Sequence, residues 1–313
     1  MLETESATCL LCNEGTDSLP VASGWDFEYR TTFDEYQFQQ CVRCGLVFLK
    51  ERPVAKEMPR IYPDNYYSAD DSEGGPKVTA FFRNHIEASK VRRYQRLLGE
   101  GRKEVLDIGC GSGRLLDMMK RNTSGWKLSG IEICLPAAVT ALLKGYDVSH
   151  ADFEEDDLVW QDASFDLALM HQVIEHTRNP REVLRRAARL LRSGGLLSIE
   201  TPDVQSLDFQ IFKRRYWGGY HIPRHFYLFN KRSLAALLEQ EGFEIICITS
   251  ILSPVFWIHS VHNWLVDTKW GRGAARLFHY RNPVMLGAAT SIELIQTSLF
   301  RRSSNMQILA RRL

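Results

Sequence analysis

Apolar positions recur along this chain with two different periods. Trp25, Phe27, Tyr29, Phe33, Tyr36 and Phe38 alternate with polar residues, the period-two pattern of short strands. Over residues 78–98 the spacing becomes helical. Phe81, Phe82, Ile86, Val91, Tyr94, Leu97 and Leu98 form the candidate core face, with Arg83, Arg92 and Arg93 on a solvated side. Beyond Gly99-Glu100-Gly101 strands and helices alternate. Strands are expected at 105–108, at 126–133, closing at His150-Ala151-Asp152-Phe153, at 165–170 and at 196–200. Leu115, Leu116, Met118 and Met119 mark one intervening helix. Another starts at Asn179-Pro180, stops at Ser193-Gly194-Gly195 and sets Arg181, Arg185, Arg186, Arg189 and Arg192 away from the sheet. A helix at 233–241 and a strand at 244–249 follow, and the final strand is expected at 305–310 after a helical insert over 251–303. Such alternation predicts an α/β, Rossmann-like sheet, mostly parallel.

The first strand leads into Asp107-Ile108-Gly109-Cys110-Gly111-Ser112-Gly113-Arg114. Glycines at every second position leave the inner wall of the turn bare, so backbone amides can touch a ligand, and the next helix directs its positive end there. Arg114 stands where a dinucleotide fingerprint needs a small residue. The run instead resembles the first motif of class I S-adenosyl-L-methionine-dependent methyltransferases, an acid two residues before a G-x-G-x-G turn. That resemblance implies a Rossmann-like sheet whose last strand is antiparallel, and S-adenosylmethionine at the turn formed by Asp107, Gly109, Cys110, Gly111 and Gly113. Glu132 ends the second strand, 25 residues after Asp107, where a carboxylate can accept both ribose hydroxyls. Ile133 follows it. In the family, the acid and aromatic of Asp152-Phe153 contact adenine. His171, closing the fourth strand, completes the donor-side candidates.

Composition adds a second module. Of the seven cysteines, four are paired as Cys9-x-x-Cys12 and Cys41-x-x-Cys44, a supply of thiolates for a tetrahedral, structural zinc. Residues 1–52 therefore read as a zinc-ribbon-like module whose small core needs the metal. A connector and helix fill 53–98, and 99–250 with 304–313 make the methyltransferase domain. The tyrosine-dense Ile61-Tyr62-Pro63-Asp64-Asn65-Tyr66-Tyr67 serves to dock the ribbon, with the acceptor pocket as the alternative.

A formal net charge of +1 gives no overall drive toward a polyanion, so no nucleic-acid partner is expected. The N-terminus shows no signal-peptide pattern, which points to the cytoplasm. From Lys269 onward eight basic residues face one acid, Glu293, among many aromatics. Peripheral contact with the inner face of a membrane and a plain packing cap are the two readings of this insert.

On the acceptor side, Gln172-x-x-Glu175-His176 follows the fourth strand, and His221 and His225 lie in an aromatic loop farther on. The element resembles the E-x-x-E-H of ubiquinone-type and small-RNA 3′-end methyltransferases, some of which bind a divalent metal. Here an amide replaces the first carboxylate, which weakens a hard-metal site and favours histidines acting on the acceptor as base or ligand, with a divalent metal as the alternative. The leading expectation is methyl transfer to a small-molecule, sugar or lipid-linked acceptor. A zinc-ribbon RNA methyltransferase and a non-enzymatic nucleotide and zinc-binding module are the competing readings. Few basic residues among the ribbon aromatics count against the former, and the complete donor motifs against the latter.

Overall fold

The computed structural model describes residues 2–12, 17–63, 77–269 and 271–313, and within the helix Lys77–Leu98 the side chains described begin at Glu87. Tyr66, Tyr67 and Trp270, with the side chains of Phe81, Phe82, Arg83 and Ile86, lie outside the described residues. The N-terminal region contains β1 (Thr4–Ser6), β2 (Ser18–Gly24), β3 (Tyr36–Cys41), β4 (Val47–Leu49) and β5 (Glu51–Pro53). β1 pairs with β5, while β2, β3 and β4 form an antiparallel meander. The aromatic alternation does not continue as a strand through Trp25 to Phe33. Asp26 instead accepts the amides of Tyr29 (3.0 Å) and Thr31 (3.0 Å) and the Thr31 hydroxyl (2.7 Å), closing the β2–β3 connection into a side-chain-organised loop.

The strands that follow are β6 (Glu104–Ile108), β7 (Lys127–Glu132), β8 (Asp147–His150), β9 (Phe165–His171), β10 (Leu191–Pro202), β11 (Tyr227–Leu228), β12 (Phe243–Ile251) and β13 (Asn305–Arg312). Seven of them make one sheet in the order β12-β13-β10-β9-β6-β7-β8, in which β13 alone runs antiparallel. The chain moves outward from β6 to β8 and restarts at β9 on the other side of β6. Open α/β sheets place ligands at this switch point, outside the carboxyl ends of the strands.

Two details depart from the sequence pattern. Leu191 already pairs with Phe165, so Ser193-Gly194-Gly195 forms an irregularity inside β10 instead of a stop ahead of it. In and after helix Pro180–Leu190, Arg185 and Arg189 stay on the solvated side, as expected, but the other arginines are tied into the fold. Arg186 is buried with its guanidinium on the carbonyls of Glu154 and Asp156, Arg181 reaches Leu10 O (3.2 and 3.1 Å) and Glu241 (2.5 Å), and Arg192 pairs with Asp166 (2.7 Å).

The N-terminal sheet is not a separate bead. β11 adds to its edge through β4, so the sheet order becomes β11-β4-β3-β2. One continuous apolar core runs from Phe38 and Leu49 through Phe226 and Leu228 to Ile108, Met170 and Leu237. The helices Pro254–Asp267, Arg272–Ala275 and Pro283–Phe300 lie between β12 and β13.

Candidate active site

At the switch point the chain leaves β6 through a turn in which Gly109, Gly111 and Gly113 have φ of +73°, +53° and +82°, a conformation costly for any residue with a Cβ. A Cβ on Gly109 would lie 2.6 Å from Val173, so the segment after β9 packs directly on the turn. Glu132, at the end of β7, is 4% exposed; its two oxygens accept the amides of Gly111 (2.8 Å) and Cys134 (2.7 Å). A carboxylate held in place by two backbone amides at the end of a strand is a pre-oriented acceptor. Asp107 is buried beneath the turn. The Cys110 side chain packs against Gly130, leaving its backbone to the turn. Ile133 is 57% exposed beside Glu132, the shape of a shelf for a flat ring. Asp152 stands in the turn after β8, where its Oδ1 accepts the Glu154 amide (2.8 Å), while Phe153 is packed into the core below the Arg186 guanidinium.

His171 ends β9 inside a buried polar network that sequence reading did not foresee. Its Nε2 lies 3.4 Å from Ser198 Oγ and 3.5 Å from Glu200, and Glu200 accepts Lys90 (2.5 Å) and Gln307 (3.1 Å). Burial, helped by the Lys90 charge, pushes the His171 imidazole down to about 3, so it stays neutral. Lys90 comes from the helix Lys77–Leu98, which this network ties to β10 and β13.

A group of imidazoles gathers from the segment after β9 and the loop ahead of β11. The ring centroids of His176 and His225 are 4.5 Å apart, those of His221 and His225 5.0 Å, and those of His176 and His221 6.0 Å. The short helix Ile174–His176 supplies the first, and the loop between the turn Gly218–Tyr220 and β11 supplies the other two. His221 is held at φ +43°, a conformation few non-glycine residues adopt. Its Nδ1 meets Glu28 Oε2 at 2.7 Å, and the other Glu28 oxygen lies 3.6 Å from His259. Burial raises the Glu28 carboxyl, but His221 and His259, through their charge when protonated and their hydrogen bonds, outweigh it and hold the group well below its ordinary range. His225 Nδ1 donates to Gly219 O (2.8 Å), and His176 Nδ1 lies 3.0 Å from the Tyr62 hydroxyl and 3.2 Å from Arg224 O. Burial pushes both imidazoles down, His176 to about 3, so both are neutral.

Glu175, His176 and His225 bring their ligand atoms within 4.8 Å of one another. Burial pushes the Glu175 carboxyl up to about 8; Oε2 accepts the Thr201 hydroxyl (2.9 Å), while Oε1 has no hydrogen-bond partner among the described residues. Gln172, the amide of the Q-x-x-E-H element, turns away to Asn305 (3.2 Å). Arg224, which its place in the sequence offers as a cation for an acceptor phosphate, does not face a pocket. It is 0% exposed and forks onto Asp26 at 3.3 and 2.8 Å.

At the far end of the meander the sulfurs of Cys9, Cys12, Cys41 and Cys44 lie within 4.8 Å of one another, and all are free thiols. The hydrogen bond with Cys44 lowers the Cys9 thiol to about 5 against the opposing effect of burial, a thiolate ready for a soft cation. Sequence reasoning missed Glu28, His259, Lys90 and Glu200. Glu28 sits between two aromatics with no local signal, and its partner is distant in sequence. Tyr62, read first as a docking residue, also reaches His176.

Comparison with known proteins agrees with this geometry. A family model described as a methyltransferase domain matches residues 82–248. The ubiquinone biosynthesis O-methyltransferases of Caulobacter vibrioides and Maricaulis maris are 35% and 32% identical over 31% and 47% of this chain and 40% and 58% of theirs. The chain thus spans about half the length of the curated relatives it matches. A SAM-dependent methyltransferase from Archaeoglobus fulgidus shares the fold, with a TM-score of 0.50 and 19% identity over 80% of this chain and 100% of that one. With the family match covering more than half of its residues, and with this strand order around this glycine turn, the chain belongs to the class I S-adenosylmethionine-dependent methyltransferases.

Proposed function

We propose that the protein transfers the methyl group of S-adenosylmethionine to a hydroxyl of a small-molecule, sugar or lipid-linked acceptor. The observation that carries this reading is the cluster of His176, His221 and His225, buttressed by Glu28 and Tyr62, in which His176 follows the β9 end whose Val173 packs on the Gly109 turn. The O-methyltransferase name of the relatives points the same way. S-adenosylmethionine supplies an electrophilic methyl group when bound. The chain's own work is to align a hydroxyl with it, exclude water and take the proton.

His221 suits the last task best. With Glu28 on Nδ1, the tautomer carrying hydrogen there makes Nε2 the proton acceptor, and the carboxylate stabilises the imidazolium that forms. Neutral His176 and His225 then orient the acceptor hydroxyls. Replacing His221 by Ala is expected to lower turnover by roughly 10²–10⁴ while donor affinity stays within a factor of about three, because proton transfer and donor binding are separable. Glu28→Gln should lower turnover less, since the imidazolium that forms loses its carboxylate partner. Unchanged turnover in both variants, measured as S-adenosylhomocysteine release with hydroxyl acceptors, would sink the assignment.

On the donor side, Asp107, Gly109, Gly111 and Gly113 hold the methionine part, Glu132 the ribose, and Ile133 and Asp152 the adenine. Titration calorimetry of Glu132→Ala should show donor binding weakened by about 2 kcal/mol or more, roughly thirty-fold. Equal affinity for variant and parent would remove Glu132 from the donor site.

A second reading rests on the orphaned Glu175 oxygen. Glu175, His176 and His225 would hold a divalent cation that polarises the acceptor oxygen. Strong stimulation of methyl transfer by magnesium or manganese, abolished in Glu175→Ala, would favour it. The four cysteines are proposed to hold a structural zinc, since they leave no open coordination position.

A further inference from the structure

The helix Pro283–Phe300 is set into the fold with its polar side inward. Glu293 and Gln296 are 0% and 1% exposed, and Glu293 receives the hydroxyls of Ser303 and Ser304. Its outer side carries Val284, Ile292, Ile295, Leu299 and Phe300, exposed by 69%, 41%, 58%, 70% and 60%. Ala288, Ile292, Ile295 and Leu299 recur every three or four residues, so they form one continuous apolar stripe along the helix. The Ser303 and Ser304 bonds fix the helix in this rotation. An apolar stripe held toward water marks a surface that another body covers.

Charge identifies that body. Glu293, the one acid from Lys269 to the C-terminus, is buried, whereas Arg281 before the helix and Arg301 and Arg302 after it are exposed. A second copy laid along the stripe would set arginines against arginines at both ends, in either orientation. An anionic lipid surface meets both features: acyl chains take the stripe and headgroup phosphates take the guanidiniums. Among the described residues no helix is long and apolar enough to cross a membrane, so this one would lie in the plane of the interface.

We propose that the outer face of Pro283–Phe300 seats the protein on an anionic membrane. The inner face packs through Ala289 against Trp257 and Ile258 of the helix Pro254–Asp267, which also brings His259 to Glu28. If the Proposed function holds, seating this face on lipid sets the acceptor wall beside the surface where a lipid-linked acceptor resides. Membrane binding itself does not depend on that reading.

The test uses the full chain, without donor or acceptor. Co-sedimentation with phosphatidylcholine vesicles, with and without phosphatidylglycerol, should show binding only to the anionic ones. Raising salt should weaken it, and removing each of Arg301 and Arg302 should cost about five-fold. Ile295→Glu with Leu299→Glu should reduce partitioning by at least ten-fold while leaving Tm unchanged, since both side chains face solvent. Equal retention of parent and double variant, or no binding to either vesicle, would overturn the proposal. A dimer seen by light scattering that Ile295→Glu dissolves would overturn it too and assign the stripe to a second copy. Vesicle binding intact in a protein that, assayed separately with donor and hydroxyl acceptors, transfers no methyl group would fault only the functional reading.

Discussion

With the proposed zinc on the four cysteines, replacing Cys41 with Ser is expected to remove that metal and lower Tm by at least about 10 °C. Structural zinc binding is worth on the order of 10 kcal/mol, comparable to the whole net stability of a domain. The reach of the effect follows from the way the N-terminal region is joined to the rest. Cys41 ends β3, which pairs with β4, and β4 in turn pairs with β11 in the loop that carries His221 and His225. The apolar core is shared across that ladder, so melting the metal knuckles exposes Phe48, Phe226 and Leu228 together. The variant should therefore lose the imidazole cluster as well as the ribbon. Metal analysis together with calorimetric melting decides the matter. A metal-free parent protein as stable as the zinc-loaded one would refute the role given to the cluster.

Arg224→Ala should cost about 3–5 kcal/mol, the price of leaving one charge of a buried pair alone. The guanidinium donates to Asp26, Ile61 O (2.7 Å), Ile222 O (2.9 Å) and Thr31 Oγ1 (3.3 Å), and stacks 4.6 Å over Tyr29. It thus clasps the β2–β3 loop, the connector and the acceptor loop at one point. Lys cannot copy this fork, so Arg224→Lys should recover only part of the loss, whereas adding Asp26→Asn to Arg224→Ala should recover more by removing the stranded carboxylate. Burial raises the Asp26 carboxyl, but the hydrogen bonds and charge of Arg224 reverse this and hold it below its ordinary value. A depressed folded-state pKa contributes stability above the unfolded value, near 4, and loses it as pH falls through the folded value. Chemical denaturation should show this pair's contribution intact at neutral pH and declining only in acid below about pH 4. A denaturation midpoint unchanged by Arg224→Ala would contradict the clasp.

Short-range features of the sequence carried far. The glycine turn is legible because positive φ demands glycine within a few residues of a strand, and the Asn179 cap because its side chain accepts the Glu182 amide (3.3 Å) on the next turn. The helical insert before the last strand is legible too, from a stretch too long for the usual hairpin. What misled was periodicity without pairing. The aromatics from Trp25 to Phe33 alternate like a strand, but Asp26 captures the backbone amides a ladder would need. Arg186 reads as part of a solvated face because carbonyl acceptors such as Glu154 O leave no trace in a hydropathy pattern.

By itself, then, the sequence determined the alternation of elements, the glycine turn with Glu132 at its side, and the pairing of four cysteines, all of which depend on residues close along the chain. The tertiary structure alone decided the imidazole cluster and its partners. Glu28 meets His221 across 193 positions and Asp26 meets Arg224 across 198, and neither residue carries a local mark of its partner. It likewise decided which side of Pro283–Phe300 faces solvent, because Ser303 and Ser304 draw the buried Glu293 inward against the preference of its apolar neighbours. Periodicity records how a helix divides its faces, whereas the choice of the face to be buried depends on polar partners that only the folded chain brings within bonding distance.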